Sequence, residues 1–218
     1  MATLLLRLAG PRQSWGKTSR FDARGTGREP TKAGVLGILA AALGIGQSDW
    51  ASLEPLARLA LAVRNDRPGH PAPDDPPDGL AGAGAARRHL ADAAFLVGLE
   101  GSDGDLLARI QAALRDPAEP LVLGRQDCPP SEPLWLPDLL NPLQEGSLRQ
   151  VLGLQPWIAA RRDREPIPER LRLCWESTDG TGVRCMDQPL ASLAEPRFGA
   201  RFVHNEWIPF PGEAAGPS

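Results

Sequence analysis

The 218-residue chain contains no tyrosine, only two lysines and only three cysteines. Cys128, Cys174 and Cys185 form an odd set without CxxC spacing, which supports neither a disulfide framework nor a zinc site. We therefore expect reduced thiols in a cytoplasmic protein. The apolar opening is interrupted by Arg7 and followed by Gly10, so it is too short for a signal peptide or a membrane span.

Several chemical signatures are also missing. His70, His89 and His204 have no partners at metal-ligand spacing, and each is expected to be structural or solvated. No Ser/His/Asp arrangement or paired-carboxylate motif stands out. The glycines at residues 34–37 lack the GxxxxGK[ST] pattern of a phosphate-binding loop. The sequence thus predicts no catalytic residue, no metal and no cofactor.

The charge is unevenly distributed along the chain. The formal net charge is −3, which by itself argues against a nucleic-acid partner. Residues 1–32, however, carry seven basic residues against two acidic ones, and the remainder is correspondingly acidic. Because the local field decides whether a phosphate is bound, this basic opening could hold a polyanion. A solvated surface is the structural alternative.

Hydrophobic periodicity predicts an α+β fold. The order is strand, helix, strand, strand, helix, strand, at residues 4–8, 31–43, 59–63, 94–99, 104–114 and 121–123. Thr31 is the expected N-cap of the first helix and Gly44 its stop. This βαββαβ pattern is typical of a ferredoxin-like or RRM-like domain, placed at residues 1–130. Residues 131–218 are predicted to form a small β-rich region, with strands at 171–176 and 201–208.

Blocks in the same order resemble a known family. The segments are LLLRLAGPRQSWG (4–16), GREPTKAGVLGILAAALGI (27–45), ADAAFLVGL (91–99), PLVLGRQDCPP (120–130) and RFVHNEWI (201–208). Together they resemble the CasD subunits of type I-E CRISPR surveillance complexes, called Cascade. These belong to the fifth CRISPR-associated protein family in the RAMP superfamily. The resemblance spans nearly the whole chain.

The resemblance implies a ferredoxin-like RAMP domain with a thumb hairpin, here at residues 64–91. It also implies a noncatalytic subunit that caps the 5′ handle of the CRISPR RNA. Its expected partners are the Cascade backbone and large subunits, with target DNA reached only through the complex and no membrane. The thumb is short and lacks the family's Asp-aromatic-His-Thr motif, and only residues 87–90 resemble the arginine-rich return strand.

The expected RNA contacts begin in the glycine-rich segment before the first helix. Arg20, Arg24 and Arg28 recur every four residues, and their guanidinium groups could fork onto phosphate oxygens. Lys32 lies in the first helical turn beside Thr31, where backbone N–H groups and the helix dipole favour an anion. The structural alternatives are a solvated loop and an exposed lysine.

Further contacts are expected after the first strand and at the thumb. Arg12, Gln13 and Trp15 follow the first strand and are expected to contact the RNA. The Gln13 amide could read a base edge and the Trp15 indole could stack on a base, although Trp15 could equally be a core residue. The remaining candidates are Arg87, Arg88 and Arg125.

Two other functions stay open. Relatives in type I-C systems cut CRISPR repeat RNA without a metal, and His89 is the reachable general base in this sequence. A pure protein scaffold, docking an acidic partner on the basic opening, is the third possibility.

Overall fold

The computed structural model describes residues 1–16, 26–74, 88–137, 141–162 and 165–212. Within these ranges the helices are α1 (Lys32–Leu43), α2 (Trp50–Ala57), α3 (Gly104–Arg115) and α4 (Leu148–Leu154). The strands there are β1 (Ala2–Ala9), β2 (Arg12–Gln13), β3 (Ala60–Arg67), β4 (His70–Pro73), β5 (Arg88–Ala91), β6 (Ala94–Gly101), β7 (Leu143–Glu145), β8 (Arg170–Glu176), β9 (Val183–Pro189) and β10 (Phe198–Pro209). None of the described helices is long and apolar enough to cross a membrane.

The described strands form two antiparallel sheets. The larger has the order β7-β1-β6-β3-β8-β10-β9, and every neighbouring pair in it runs antiparallel. The smaller has the order β2-β5-β4. Helices combined with antiparallel sheets confirm the predicted α+β class.

The centre of the large sheet is buried on both faces. Leu4, Leu6 and Leu8 of β1 lie in the core cluster with residues of α1, α2 and α3. Leu5 belongs to a second cluster, formed with residues of α4. Successive strand residues point to opposite faces, so an unbroken apolar run such as residues 4–6 is what a strand covered on both faces needs. We call the side that Leu4 faces the upper face and the side that Leu5 faces the lower face.

Helix α1 has the ends that the sequence predicts. The Thr31 side chain accepts a hydrogen bond from the backbone N–H of Gly34, which satisfies a free donor of the first turn. Gly44 takes the left-handed conformation, with φ of 67°, and closes the last turn. Both predicted capping roles are confirmed.

The C-terminal strands continue the large sheet. β8 pairs with β3, with Cys174 opposite Val63, and β10 and β9 follow outward. The strands predicted at residues 171–176 and 201–208 are confirmed. The predicted boundary after residue 130 stays a prediction, since the sheet runs across it.

The strand predicted at residues 121–123 is wrong. The Leu123 N–H donates to the Cys128 carbonyl at 2.7 Å, and the Leu123 carbonyl accepts from the Ser14 N–H at 2.9 Å, so the segment turns back on itself. Gly124 follows with φ of 92°, a conformation that favours glycine. The strand after α3 is instead β7, which pairs with the start of β1.

A fully buried ion pair ties α4 to the lower face. The Arg64 guanidinium contacts the Asp66 carboxylate at 2.7 and 2.8 Å, and neither side chain has exposed surface. Arg64 also donates to the carbonyls of Leu152, Gln155 and Pro156 at 2.6 to 2.7 Å. These include carbonyls at the end of α4 that lack helical partners. One arginine thus holds the helix end against β3.

Replacing Arg64 by methionine should lower the free energy of unfolding by about 3–5 kcal/mol, because Asp66 would stay buried without its cation. Urea unfolding followed by circular dichroism measures this loss. The matched control is Arg58→Met, which removes an exposed pair with Glu54 at 2.7 Å. Such surface pairs contribute less than about 1 kcal/mol. Equal losses in the two variants would contradict the role given to Arg64.

Candidate nucleic-acid interface

The predicted arginine segment begins and ends at one place. Arg20 and Arg24, like Arg87 of the thumb, lie outside the described residues. On either side of residues 17–25 the chain is pinned: the Thr26 hydroxyl accepts from the Trp15 N–H at 2.8 Å. The Gly27 N–H donates to the Trp15 carbonyl at 2.5 Å. The segment is therefore closed at both ends.

An open groove lies next to these ends, between the segment before α1 and the C-terminal strands. Two carboxylates, Glu29 and Asp187, line it. Four arginines also line it: Arg28, Arg172, Arg184 and Arg201. We call it the arginine groove. Its excess of guanidinium groups over carboxylates favours an anionic ligand.

Two of these arginines are fixed by contacts with side chains of neighbouring segments. Arg201 of β10 makes a two-point contact with Asp187 of β9, at 2.7 and 2.9 Å. Arg172 of β8 contacts the Glu29 carboxylate and donates to the Asn205 side-chain oxygen at 2.7 Å. Such planar two-point pairs fix the guanidinium orientation. Arg172 and Arg201 therefore build the floor of the groove.

The other two groove arginines are exposed. Arg28 immediately precedes the Glu29–Pro30 turn into α1, and it has no hydrogen-bond or ion-pair partner among the described residues. Arg184 is likewise unpaired within the described ranges. It belongs to β9, the edge strand of the sheet, and lines the groove at that edge. Within the described residues, neither guanidinium group has an internal contact to lose on binding a ligand.

The start of α1 already holds an anion, which corrects the phosphate role predicted for Lys32. The Asp187 carboxylate accepts from the Lys32 backbone N–H at 2.9 Å. The Lys32 ammonium is buried and donates to both Glu176 carboxylate oxygens at 2.9 Å and to Gln188 at 2.7 Å. Burial lowers the pKa of Lys32, and Glu176 opposes that shift. Lys32 is therefore an internal cation, beside Thr31 in its capping role.

Gln13 and Trp15 are also internal, which corrects their predicted base contacts. Both have 0% of their surface exposed. The Trp15 indole N–H donates to the Gln13 side-chain oxygen at 3.0 Å, and the Gln13 amide donates to the Ala93 carbonyl at 2.7 Å. The neighbouring Arg12 is half-buried and interacts within the chain. The alternative of a core tryptophan is thus the one the structure supports.

Charged side chains connect the paired strands β4 and β5 to residues 125–127, next to the predicted thumb. Arg125 contacts the Asp74 carboxylate at 2.8 and 3.1 Å and also pairs with Asp127. The His89 ring contacts the same Asp74 carboxylate at 2.8 Å. The Arg125 hydrogen bond lowers the pKa of Asp74 below its usual range. Arg125 therefore anchors the hairpin, whereas Arg88, the first residue of β5, is exposed.

Three groove arginines were missed in the sequence: Arg172, Arg184 and Arg201. They are scattered over three strands, and only the pairing register brings them together, with Arg201 opposite Cys185. A period-2 pattern can predict the face of each strand, yet it cannot predict which strands become neighbours.

The described residues of the groove include neither a metal site nor an activated thiol. Among the described residues, no three His, Cys, Asp or Glu side chains gather where they could hold a metal ion. Cys174 lies beneath the groove, where burial and the nearby Glu29 charge raise the pKa of its thiol to about 12. Burial likewise raises the pKa of Cys185. Both thiols are therefore neutral near pH 7 and poorly nucleophilic.

The chain has clear relatives. The family model described as CRISPR-associated protein (Cas_Cas5) matches residues 3–75 and 81–204. The CRISPR system Cascade subunit CasD of Escherichia coli (strain K12) is 35% identical over 155 residues, which cover 61% of this chain and 69% of that protein.

Two solved structures are similar over almost the whole chain. A crystal structure of a Cas protein is 42% identical with a TM-score of 0.82, covering 99% of this chain and 100% of that one. A chain of a CRISPR RNA-guided surveillance complex is 27% identical with a TM-score of 0.65, covering 98% of this chain and 93% of that one.

Asp187 makes the groove sensitive to acid. Burial is the largest single influence and would raise its pKa, but the hydrogen bonds and charges of Arg201 and Lys32 together outweigh burial, and the folded-state pKa is lowered. Its contribution to stability is therefore present above the ordinary aspartate pKa of about 3.9 and is lost as the pH falls through the folded pKa.

We expect Asp187→Asn to cost about 2 kcal/mol of unfolding free energy near neutral pH, as for hydrogen bonds to a charged group. Urea unfolding of the wild type and the variant should give a difference that shrinks below about pH 4. The pH-dependent contributions of the other carboxyl groups cancel in this difference, because the wild type and the variant share those groups. A gap that stays constant down to acid pH would refute the assignment.

Proposed function

Because the chain belongs to the Cas5 family of CRISPR-associated proteins, we propose that it is the noncatalytic RNA-binding subunit of a type I-E Cascade complex. In this proposal it caps the 5′ handle of the guide RNA and links the backbone subunit to the large subunit. Target DNA is met only through the assembled complex, which works in the cytoplasm in antiviral defence.

The arginine groove carries the proposal. It offers the unpaired, exposed guanidinium group of Arg28 beside a floor of two fixed ones, and Arg184 is exposed and unpaired at its edge. It also adjoins the closed ends of residues 17–25, which contain Arg20 and Arg24. Guanidinium groups fork onto phosphate oxygens, and their clustering along one groove suits a bent single strand.

The predicted RNA ligands fall into two groups on this basis. Arg28, with Arg20 and Arg24 in the adjoining segment, would contact phosphates, and Arg87 and Arg88 would do so at the thumb. The remaining candidates have internal partners and would support this surface: Arg12, Gln13, Trp15, Thr31, Lys32 and Arg125.

We also propose a ferredoxin-like arrangement for the first part of the chain. The elements β1, α1, β3, β6, α3 and β7 follow the strand–helix–strand–strand–helix–strand order. In the sheet, β6 lies between β1 and β3, and β7 flanks β1. Since β7 supplies the fourth strand, the domain would extend to residue 145 rather than 130. Strands β4 and β5 would form the base of a shortened thumb.

The endoribonuclease alternative depends on His89, whose environment does not suit a general base. Its ring is 6% exposed and its Nδ1 contacts the Asp74 carboxylate, which Arg125 also binds. A general base must reach the ribose 2′-hydroxyl of the substrate. The His89 ring is instead enclosed between β5 and the Asp74 carboxylate, where it is poorly placed to reach a substrate.

Incubating the purified chain with CRISPR repeat RNA in the presence of a metal chelator should therefore leave the RNA intact over hours. Denaturing gel electrophoresis is the measurement. A His89→Ala preparation serves as the matched control for contaminating nuclease, since a contaminant would cut equally in both. Discrete fragments from the wild type alone would overturn the noncatalytic assignment.

Replacing Arg28 and Arg184 together by alanine should weaken binding of a short single-stranded repeat RNA by at least about tenfold, because two charged contacts to phosphate are lost. The slope of log K against log salt should also become shallower, by about 0.7 for each lost phosphate contact. Fluorescence anisotropy across a salt series measures both quantities.

The matched control is Arg58→Ala with Arg109→Ala, which removes two positive charges from exposed positions, the C-cap of α2 and a residue of α3, that do not line the groove. It should bind RNA nearly as the wild type does. If the groove and control variants bind equally well, the groove is not the RNA site.

A further inference from the structure

One tryptophan stands apart from the rest. All six tryptophans lie in the described part of the chain, and Trp207 of β10 is the one that is mostly exposed, at 64%. An indole in water exposes a large apolar ring. Single exposed apolar residues are common on proteins, so the neighbours of Trp207 decide what its exposure means.

The strand register places Trp207 on the upper face, with the arginine groove. Arg201, Val203 and Asn205 alternate along β10 and line one continuous hollow together with Arg172 of β8. Trp207 is the next residue in this alternation, and it stands directly opposite Arg172. The groove floor therefore leads along β10 from Arg201 to the indole, a distance of roughly 20 Å.

The surroundings of Trp207 are polar and basic. Arg172 is opposite it, and Arg170, which pairs with Pro209, lies diagonally across and is exposed. Asn205 is its neighbour on the same face and is also exposed. A docking site for an apolar protein segment needs a contiguous apolar patch. An isolated indole among guanidinium and amide groups suits a nucleobase, whose ring it can stack on while the guanidinium groups meet phosphates.

We propose that Trp207 stacks on an unpaired base of the RNA strand whose phosphates lie in the arginine groove. The proposal rests on the RNA-binding function proposed above and adds a base contact that lies far along the chain from the basic opening. Residues Arg170 and Arg172 flank that base on the open sheet face.

Stacking predicts a loss of affinity that does not depend on charge. Trp207→Ala should weaken binding of a single-stranded RNA carrying the CRISPR repeat by about tenfold, the usual effect of losing one aromatic–base stack. The salt slope should stay that of the wild type, because no phosphate contact is removed. Trp207→Phe, which keeps an aromatic ring, should retain most of the affinity. Leu154→Ala, at the 81% exposed position on α4, is the matched control and should bind as the wild type does.

A second arm identifies the base itself. Repeat RNAs that each carry one abasic nucleotide are titrated with the wild type and with Trp207→Ala. At one abasic position, the wild type should bind more weakly than it binds the intact RNA. Trp207→Ala should bind that abasic RNA and the intact RNA equally well, because it has no indole to stack on the missing base. A variant that is equally weakened relative to the wild type on every abasic RNA would overturn the stacking role.

The outcomes separate this proposal from the one it rests on. If Trp207→Ala binds RNA like the wild type while the Arg28 and Arg184 variant is weakened, stacking is refuted and RNA binding in the groove stands. If neither variant changes RNA affinity, the proposed function itself fails. If Trp207→Ala binds RNA normally but no longer co-purifies with other Cascade subunits, the indole is a protein contact and the proposal is overturned.

Discussion

The carboxylate of Asp187 holds together the part of the molecule on which the groove depends. It closes the N-terminus of α1 by accepting the Lys32 backbone N–H, and it fixes Arg201 on the neighbouring strand. Without it, a buried backbone donor would lack a partner and the Arg201 guanidinium would lose both of its close hydrogen bonds, which is costly in a low-dielectric interior. The first helix and the outer strands are thereby joined, and the groove is the space left between them.

Two sets of basic residues in this acidic chain differ in burial and in pairing. Arg64 and Lys32 are buried and Arg201 is mostly buried, and all three are paired with internal acceptors, so their charge stabilises the fold. Arg28 and Arg184 are exposed and unpaired within the described residues, so their charge is available to a ligand. The net charge of −3 is a sum over the whole chain and does not distinguish these two sets of residues. What matters for a polyanion is the field over one surface rather than the total.

Local patterns predicted the elements well, and long-range contacts limited the rest. The β1 run and the Thr31 and Gly44 caps of α1 depend on near neighbours, and the sequence shows them directly. The strand expected at residues 121–123 failed because contacts with Ser14 and Cys128 override a short apolar run. The candidate site was harder to predict than the elements. Trp15 and Lys32 were expected to bind RNA, but their polar atoms bond to the Gln13 amide and the Glu176 carboxylate, contacts that the sequence does not reveal. Arg201 meets Asp187 only through the register of β9 and β10.

The double tie between Trp15 and the Thr26–Gly27 pair brings the two ends of residues 17–25 together. Once the two ends of a loop are fixed, doubling the loop's length costs only about 0.6 kcal/mol of closure entropy. By this measure, a change in the number of residues between these ends adds little to the entropy cost of closing the loop. If residues 17–25 contact the guide RNA as proposed, their number could follow a change in the CRISPR repeat while Trp15 still holds both ends.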